Sequence, residues 1–205
     1  MENLLKESSH LPETEFTNPP EKIKLTKAKR ALMTSLLEEL QLKPFESITV
    51  NEICAQADVH RTTLYKYYAD KNDLLKETLI IMFTDFAKAA SRPDNARQPE
   101  ISEQVLQLVE KYHYLFEKIL ITDRSGELRH MTQQVLIDLV FAYNLEWPAA
   151  KSEDFWQQRS LCACYYTGAL LSVIEWWLRD KMQPGIPLMA RYLGKLKPYP
   201  SLNIP

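Results

Sequence analysis

Glycine is scarce in this chain. There are 4 among 205 residues, at positions 126, 168, 185 and 194, so none precedes Gly126. A loop that cradles nucleotide phosphates needs several glycines close together, because a Cβ would hold the backbone away. Both common glycine-rich nucleotide fingerprints are therefore missing. No serine stands in a G-x-S-x-G elbow, and motif spacing assembles no nucleophile–base pair, so an enzyme is not expected. Cysteine is equally sparse. Cys54, Cys162 and Cys164 are too few and too unevenly spaced for a disulfide framework or a zinc site. Cys162 and Cys164 would point in nearly opposite directions on one helix, so core packing suits them better than a redox pair. His113 and His130 lack partners at metal-ligand spacing and are expected at the surface or as caps. No metal and no cofactor is expected.

Long apolar runs and strong net charge are also missing. The longest uncharged stretch, Ser160–Ile174, has 15 residues and is flanked by Arg159, Glu175 and Arg179. A membrane-spanning helix needs about 20, so this segment reads as a buried helix and no membrane partner is expected. Met1–Asn18 mixes Glu, Lys, Ser, His and Pro without the apolar run of a signal peptide, and a reduced, cytoplasmic chain fits. A net charge of −2 points to no partner by itself.

What the chain does have is helical periodicity. Leu25, Ala28, Leu32, Leu36, Leu37 and Leu40 recur at helix spacing until Lys43-Pro44 ends them. A short helix follows from about Val50 to Ala57, opened by Thr49 with Glu52 three residues on, the pattern of a capping box. Asp58 sits at a tight turn, where Asp tolerates left-handed backbone better than most residues with a Cβ. A third helix spans roughly Arg61–Tyr68. A fourth begins near Asp70-Lys71-Asn72 and carries Leu74, Leu75, Thr78, Leu79, Met82, Phe83 and Phe86.

Beyond a linker-like Ser91–Pro99, one helix is expected through Ile101, Val105, Leu108, Tyr112, Leu115 and Ile119. Another runs through Leu128, Met131, Val135, Leu139 and Tyr143 to Trp147-Pro148. Glu153–Lys181 forms a long helix, apolar nearly all round and so expected to be covered on every side. Pro184–Pro187 breaks the chain before a last helix to about Leu196. No strand pattern of useful length appears, so the fold is expected to be all-α.

Two short helices joined by a tight turn and braced by an upstream helix form a helix-turn-helix unit. Its second helix, the candidate major-groove reader, is crowded. Arg61–Tyr68 holds three tyrosines, two threonines, an arginine and a lysine. Arg61 can fork onto guanine, and Thr62 and Thr63 can meet a thymine methyl or a phosphate. Tyr65 and Tyr67 can reach phosphate oxygens, and Lys66 and Lys71 can neutralise backbone charge, while Leu64 and Tyr68 should pack inward. From Lys22 to Lys76 ten basic side chains face seven acidic ones, a net +3, which leaves −5 for the rest of the chain. That is the sign expected of a phosphate-facing head. An ordinary solvated amphipathic helix would not require cap, turn and reading-helix chemistry to coincide.

The segments "ALMTSLLEELQLKPFESITV" and "ITVNEICAQADVHRTTLYKYYADKNDLL" resemble the DNA-binding head of TetR-family transcriptional regulators, over residues 24–75. Asp58 departs from the Gly usual there, and His60 from the usual Ser-like cap. The resemblance implies DNA-facing positions at Thr49, Arg61, Thr62, Thr63, Tyr65, Lys66, Tyr67 and Lys71. "YYTGALLSVIEWWLRDKMQ", residues 165–183, is similar to a C-terminal region of the subgroup that regulates dihydroxyacetone kinase operons.

The organisation implied is a flexible arm over residues 1–21, a three-helix head over 22–70 and a helical regulatory and dimerisation body over 71–205. Partners implied are double-stranded operator DNA, a second copy of the chain and an unidentified small-molecule effector. The function implied is effector-responsive repression; the alternative is a co-activator of the same fold that works through protein contacts. Aromatic residues of the body, among them Tyr112, Tyr114, Phe116, Phe141, Tyr143, Trp147, Trp156, Tyr165, Tyr166, Trp176 and Trp177, could line an effector pocket or simply pack.

Overall fold

The computed structural model describes residues 25–90, 98–142 and 155–195, with side chains over 25–84, 102–141 and 160–195. The expected arm, the Trp147-Pro148 helix end and the side chains of Phe86 and Trp156 lie outside these residues. Among the described residues every regular element is helical and none is a strand. The all-α expectation holds.

Helix α1, Lys27–Leu42, starts where the Thr26 hydroxyl accepts from the Lys29 N–H at 3.2 Å. It buries Leu32, Met33, Leu36 and Leu40, and ends as Lys43 turns extended before Pro44. A 3₁₀ turn, Phe45–Ser47, leads into α2, Val50–Gln56. The capping box read from the sequence forms, with Thr49 and Glu52 bonded to each other's backbone. Asp58 has φ 51°, the left-handed backbone expected of it. Helix α3, Arg61–Tyr67, follows, and the linking helix α4 runs over Lys71–Ala90.

The body departs from expectation at its first helix. Periodicity from Ile101 to Ile119 reads as one rod, yet α5, Gln98–Lys111, stops at Tyr112, whose backbone (φ −114°, ψ 32°) is not helical. Helix α6, His113–Glu117, then runs into a π turn, Lys118–Thr122. The apolar spacing survives the break because Val109, Leu115, Phe116 and Ile119 all enter one core, so periodicity alone carries no trace of the kink. Asp123 ends the segment and opens α7, Glu127–Ala142. Its carboxylate accepts from the N–H groups of Ser125, Gly126, Leu128 and Arg129 at 3.1, 3.1, 2.8 and 3.3 Å. The bonds from Leu128 and Arg129 satisfy donors left over at the start of α7, and those from Ser125 and Gly126 form the turn before it.

Helix α8, Phe155–Arg179, packs on α7 along one side. Ala163, Leu171, Ile174, Trp177 and Leu178 are buried, but Leu161, Tyr165 and Trp176 stay open to solvent at 70, 67 and 53%. Covering on every side, expected for this helix, is not seen within one chain. By length and composition Ser160–Arg179 could cross a membrane, although Arg129 and Arg179 both pair with its Glu175. Gly168 serves a contact inside the chain, since a Cβ there would meet Gln133 Nε2 of α7 at 3.2 Å. The helix ends on left-handed Lys181 and Met182, and the Trp177 indole N–H donates to the Pro184 carbonyl at 2.8 Å. Helix α9, Ile186–Lys195, closes the fold against α5 with Met189 and Ala190 buried.

Candidate nucleic-acid interface

The head's core is built from α1, α2, α3 and the start of α4. Leu32, Leu36, Leu40, Ile53, Leu64 and Leu74 are each fully buried in it. Leu64 and Tyr68 do point inward, and this fixes which side of α3 faces out. That outer side carries Arg61, Thr62, Tyr65 and Lys66, all exposed, with Thr63 and Tyr67 half-buried at its margins. Thr49 is exposed at the start of α2. Six of the eight expected positions therefore lie on or beside the outer side of α3; Thr49 stands at the start of α2 and Lys71 at the start of α4.

Two of these side chains are held in place before any partner arrives. The Arg61 guanidinium donates to the Tyr65 hydroxyl at 3.3 Å and lies 5.7 Å from the centre of its ring, one helical turn along. His60 Nδ1 lies 3.1 Å from Thr62 Oγ1. Fixing long side chains reduces the rotamer freedom lost on binding.

Lys71 is placed differently. Its ammonium donates to the carbonyls of Phe45, Glu46 and Ile48 at 2.8, 3.1 and 2.8 Å. An ammonium has three protons, so all of them are engaged in tying the start of α4 to the 3₁₀ turn. Burial lowers the Lys71 pKa, as removing a charge from water must. Periodicity could not have found this tie, because its acceptors lie far back in the chain.

A second tie joins α1 to α4. Lys29 Nζ bonds both Glu77 carboxylate oxygens, at 2.8 and 3.0 Å, and lies 5.4 Å from the ring centres of Tyr67 and Tyr68. The Tyr68 hydroxyl is buried beside the Glu77 carboxylate, and burial first, then the Glu77 charge, push its pKa far up. At the far edge of the head, Glu52 accepts from Lys43 Nζ at 2.6 Å and from the Thr49 N–H at 2.8 Å. Lys43 and then Thr49 lower the Glu52 pKa to about 2. Among the described residues no cluster of His, Cys, Asp or Glu could hold a metal ion.

Residues 32–78 match the family described as bacterial regulatory proteins, tetR family. The dihydroxyacetone kinase operon activator DhaS shares the fold, at 16% identity over 82% of this chain and 93% of its own, with a TM-score of 0.52. The TetR family repressor AlkX from Dietzia sp. strain DQ12-45-1b, implicated in biodegradation of n-alkanes, aligns at 16% identity over 82% and 95%, with a TM-score of 0.44. No curated relative matches the chain. The matched residues are the head whose sequence resembled TetR-family regulators, and that resemblance is borne out.

Proposed function

We propose that this chain, whose head is the DNA-binding domain of the TetR family, is a cytoplasmic, effector-responsive repressor that reads its operator through α3. The observation that carries the reading is the exposed row Arg61, Thr62, Tyr65 and Lys66, aimed outward by buried Leu64 and Tyr68. A helix that projects a forked donor, hydroxyls and a cation from one side suits a major groove lined with acceptors. In this reading Arg61 contacts a base edge. Thr62, Thr63, Tyr65 and Tyr67 offer hydroxyls, and Lys66 with Thr49 meets the phosphates. Lys71 sets the angle of the linking helix from within the head.

The proposed division is an arm to residue 21, a head to residue 70 and a body from residue 71. The protein acts as a homodimer in this reading, and the open apolar stripe of α8 supports that. Leu161, Tyr165 and Trp176 are too large and too many for one exposed helix face to leave in water without cost. Two heads on one operator require their reading helices to sit about 34–36 Å apart, one turn of DNA. An effector bound in the body would favour another spacing and so weaken binding, because a ligand shifts only an equilibrium whose two states it distinguishes.

The test is binding to the DNA upstream of the chain's own gene, followed by site selection from a random duplex pool. Arg61→Ala is expected to cost about 1–3 kcal/mol at the selected site and to relax preference at one base pair. Absence of any selected sequence from the wild-type protein would sink the operator-binding reading and favour a co-activator of the same fold.

A further inference from the structure

We propose that His60 is a positioning residue for Thr62: its ring fixes the Thr62 hydroxyl so that the hydroxyl proton faces the DNA. The inference rests on the reading of α3 as the DNA-facing helix. His60 is the residue before α3 and does not cap it in the ordinary way, because its side chain makes no bond to a backbone N–H of the first turn. Instead Nδ1 sits 3.1 Å from Thr62 Oγ1, with both residues exposed. A serine at position 60 could not do this from the same backbone, since its short hydroxyl reaches only the helix's own N–H groups.

The chemistry of that pair decides what Thr62 can read. A hydroxyl has one proton to donate, and an imidazole nitrogen either donates or accepts. If Nδ1 accepts, the Thr62 proton is consumed inside the protein and only lone pairs face outward. If Nδ1 carries a proton and donates it, the Thr62 proton is released to an outside acceptor. The phosphates and the major groove of DNA are rich in acceptors: phosphate oxygens, guanine N7 and O6, adenine N7 and thymine O4, against one amino donor on each of adenine and cytosine. The donating arrangement therefore matches what α3 would meet, and the pair is a gate on the polarity of one contact rather than a contact of its own.

The test compares wild type with His60→Leu, Thr62→Val, the double variant and His60→Asn, on the duplex that wild type selects from a random pool. Val keeps the shape and methyl of Thr and removes only the hydroxyl, while Asn restores an N–H donor near the position of Nδ1. Each single loss is expected to weaken binding about tenfold. The double variant should be no weaker than either, and His60→Asn should stay within about twofold of wild type. Nitrogen NMR of the free proteins should show the His60 ring changing its hydrogen-bond state in Thr62→Val, and circular dichroism should show equal helix content throughout. Independent losses that multiply to about a hundredfold, or a His60→Leu variant that binds as wild type does, would overturn the proposal. A wild-type protein that selects no sequence would remove the DNA-binding reading itself, and this inference with it, before any variant is compared.

Discussion

The ammonium of Lys71 meets Phe45 twice: it donates to the Phe45 carbonyl at 2.8 Å and lies 4.6 Å from the centre of the Phe45 ring. One side chain thus uses both its charge and its protons on the turn between α1 and α2. Phe45 is itself buried, so the tie is anchored in the head's core rather than on a mobile surface. Lys71→Met keeps the apolar stem and removes the donors. It should lower stability by about 1–3 kcal/mol in a denaturant titration, because the carbonyls lose a charged partner. The salt dependence of DNA binding should keep its slope. A slope shallower by about 0.9 would show that the ammonium leaves the carbonyls for a phosphate.

The ion pair between Lys29 and Glu77 is mostly shielded, each side chain being 16% exposed. Glu77→Gln leaves Lys29 charged beneath two tyrosine rings without its counter-ion. The expected loss lies between that of a surface pair and a buried one, about 1–3 kcal/mol by thermal or chemical unfolding. A loss below the error of the measurement would mean that the rings alone hold Lys29.

Acid should weaken the start of α2 in a way that one residue controls. The Glu52 pKa is depressed to about 2 from the usual 4.5, first by Lys43 and then by Thr49. A depressed carboxylate contributes stability that is fully present above its unfolded pKa and is lost as pH falls through the folded one. The stability gap between wild type and Glu52→Gln should therefore narrow as pH falls from 4.5 towards 2. A gap that stays constant across that range would exclude Glu52 as the source.

Phe83 of α4 and Phe116 of α6 are both buried, with ring centres 6.1 Å apart. Phe83→Ala should cost about 3–5 kcal/mol through the cavity it leaves. A double-mutant cycle with Phe116→Ala should give a coupling of about 0.5–1.5 kcal/mol. Additive losses would show that the two rings merely share a core.

The exposed stripe of α8 offers a test of assembly. Tyr165→Glu and Trp176→Glu place charge on positions that are 67 and 53% open in the single chain, so the fold should survive both. Light scattering at micromolar concentration should report a dimer for wild type and a monomer for the double variant. A dimer that persists would move the interface elsewhere.

Much of the head could be read directly from its residues. Thr49 and Glu52 announce the start of α2, Asp58 the left-handed turn, and Leu64 with Tyr68 the inner side of α3, because each of these signals acts over only a few positions. The ties from Lys71 to Phe45 and from Lys29 to Glu77 were not legible, since they join residues 26 and 48 positions apart. Nor was the break at Tyr112, where Lys111-Tyr112-His113 has neither proline nor glycine and the apolar spacing runs straight through. The excess of apolar surface on α8 was legible, since its sequence is apolar on more sides than one chain can cover. Which side stays open was not, because that depends on where α7 packs.

The segment between Tyr112 and Asp123 has one further consequence, for how such proteins can be recombined. Helix α6 packs on α1, with Tyr114 beside Gln41 at the end of α1, while Ile119 and Leu120 in the π turn are buried in the body. The head is thus bolted to the body at α6 as well as through α4. A foreign head spliced in at residue 71 would keep the covalent joint and lose the bolt. On the proposed reading, such a chimera should bind its new operator yet transmit signals from the body poorly, unless the residue facing Tyr114 is carried along. On that reading, specificity is traded between relatives together with the patch of α1 that packs on α6.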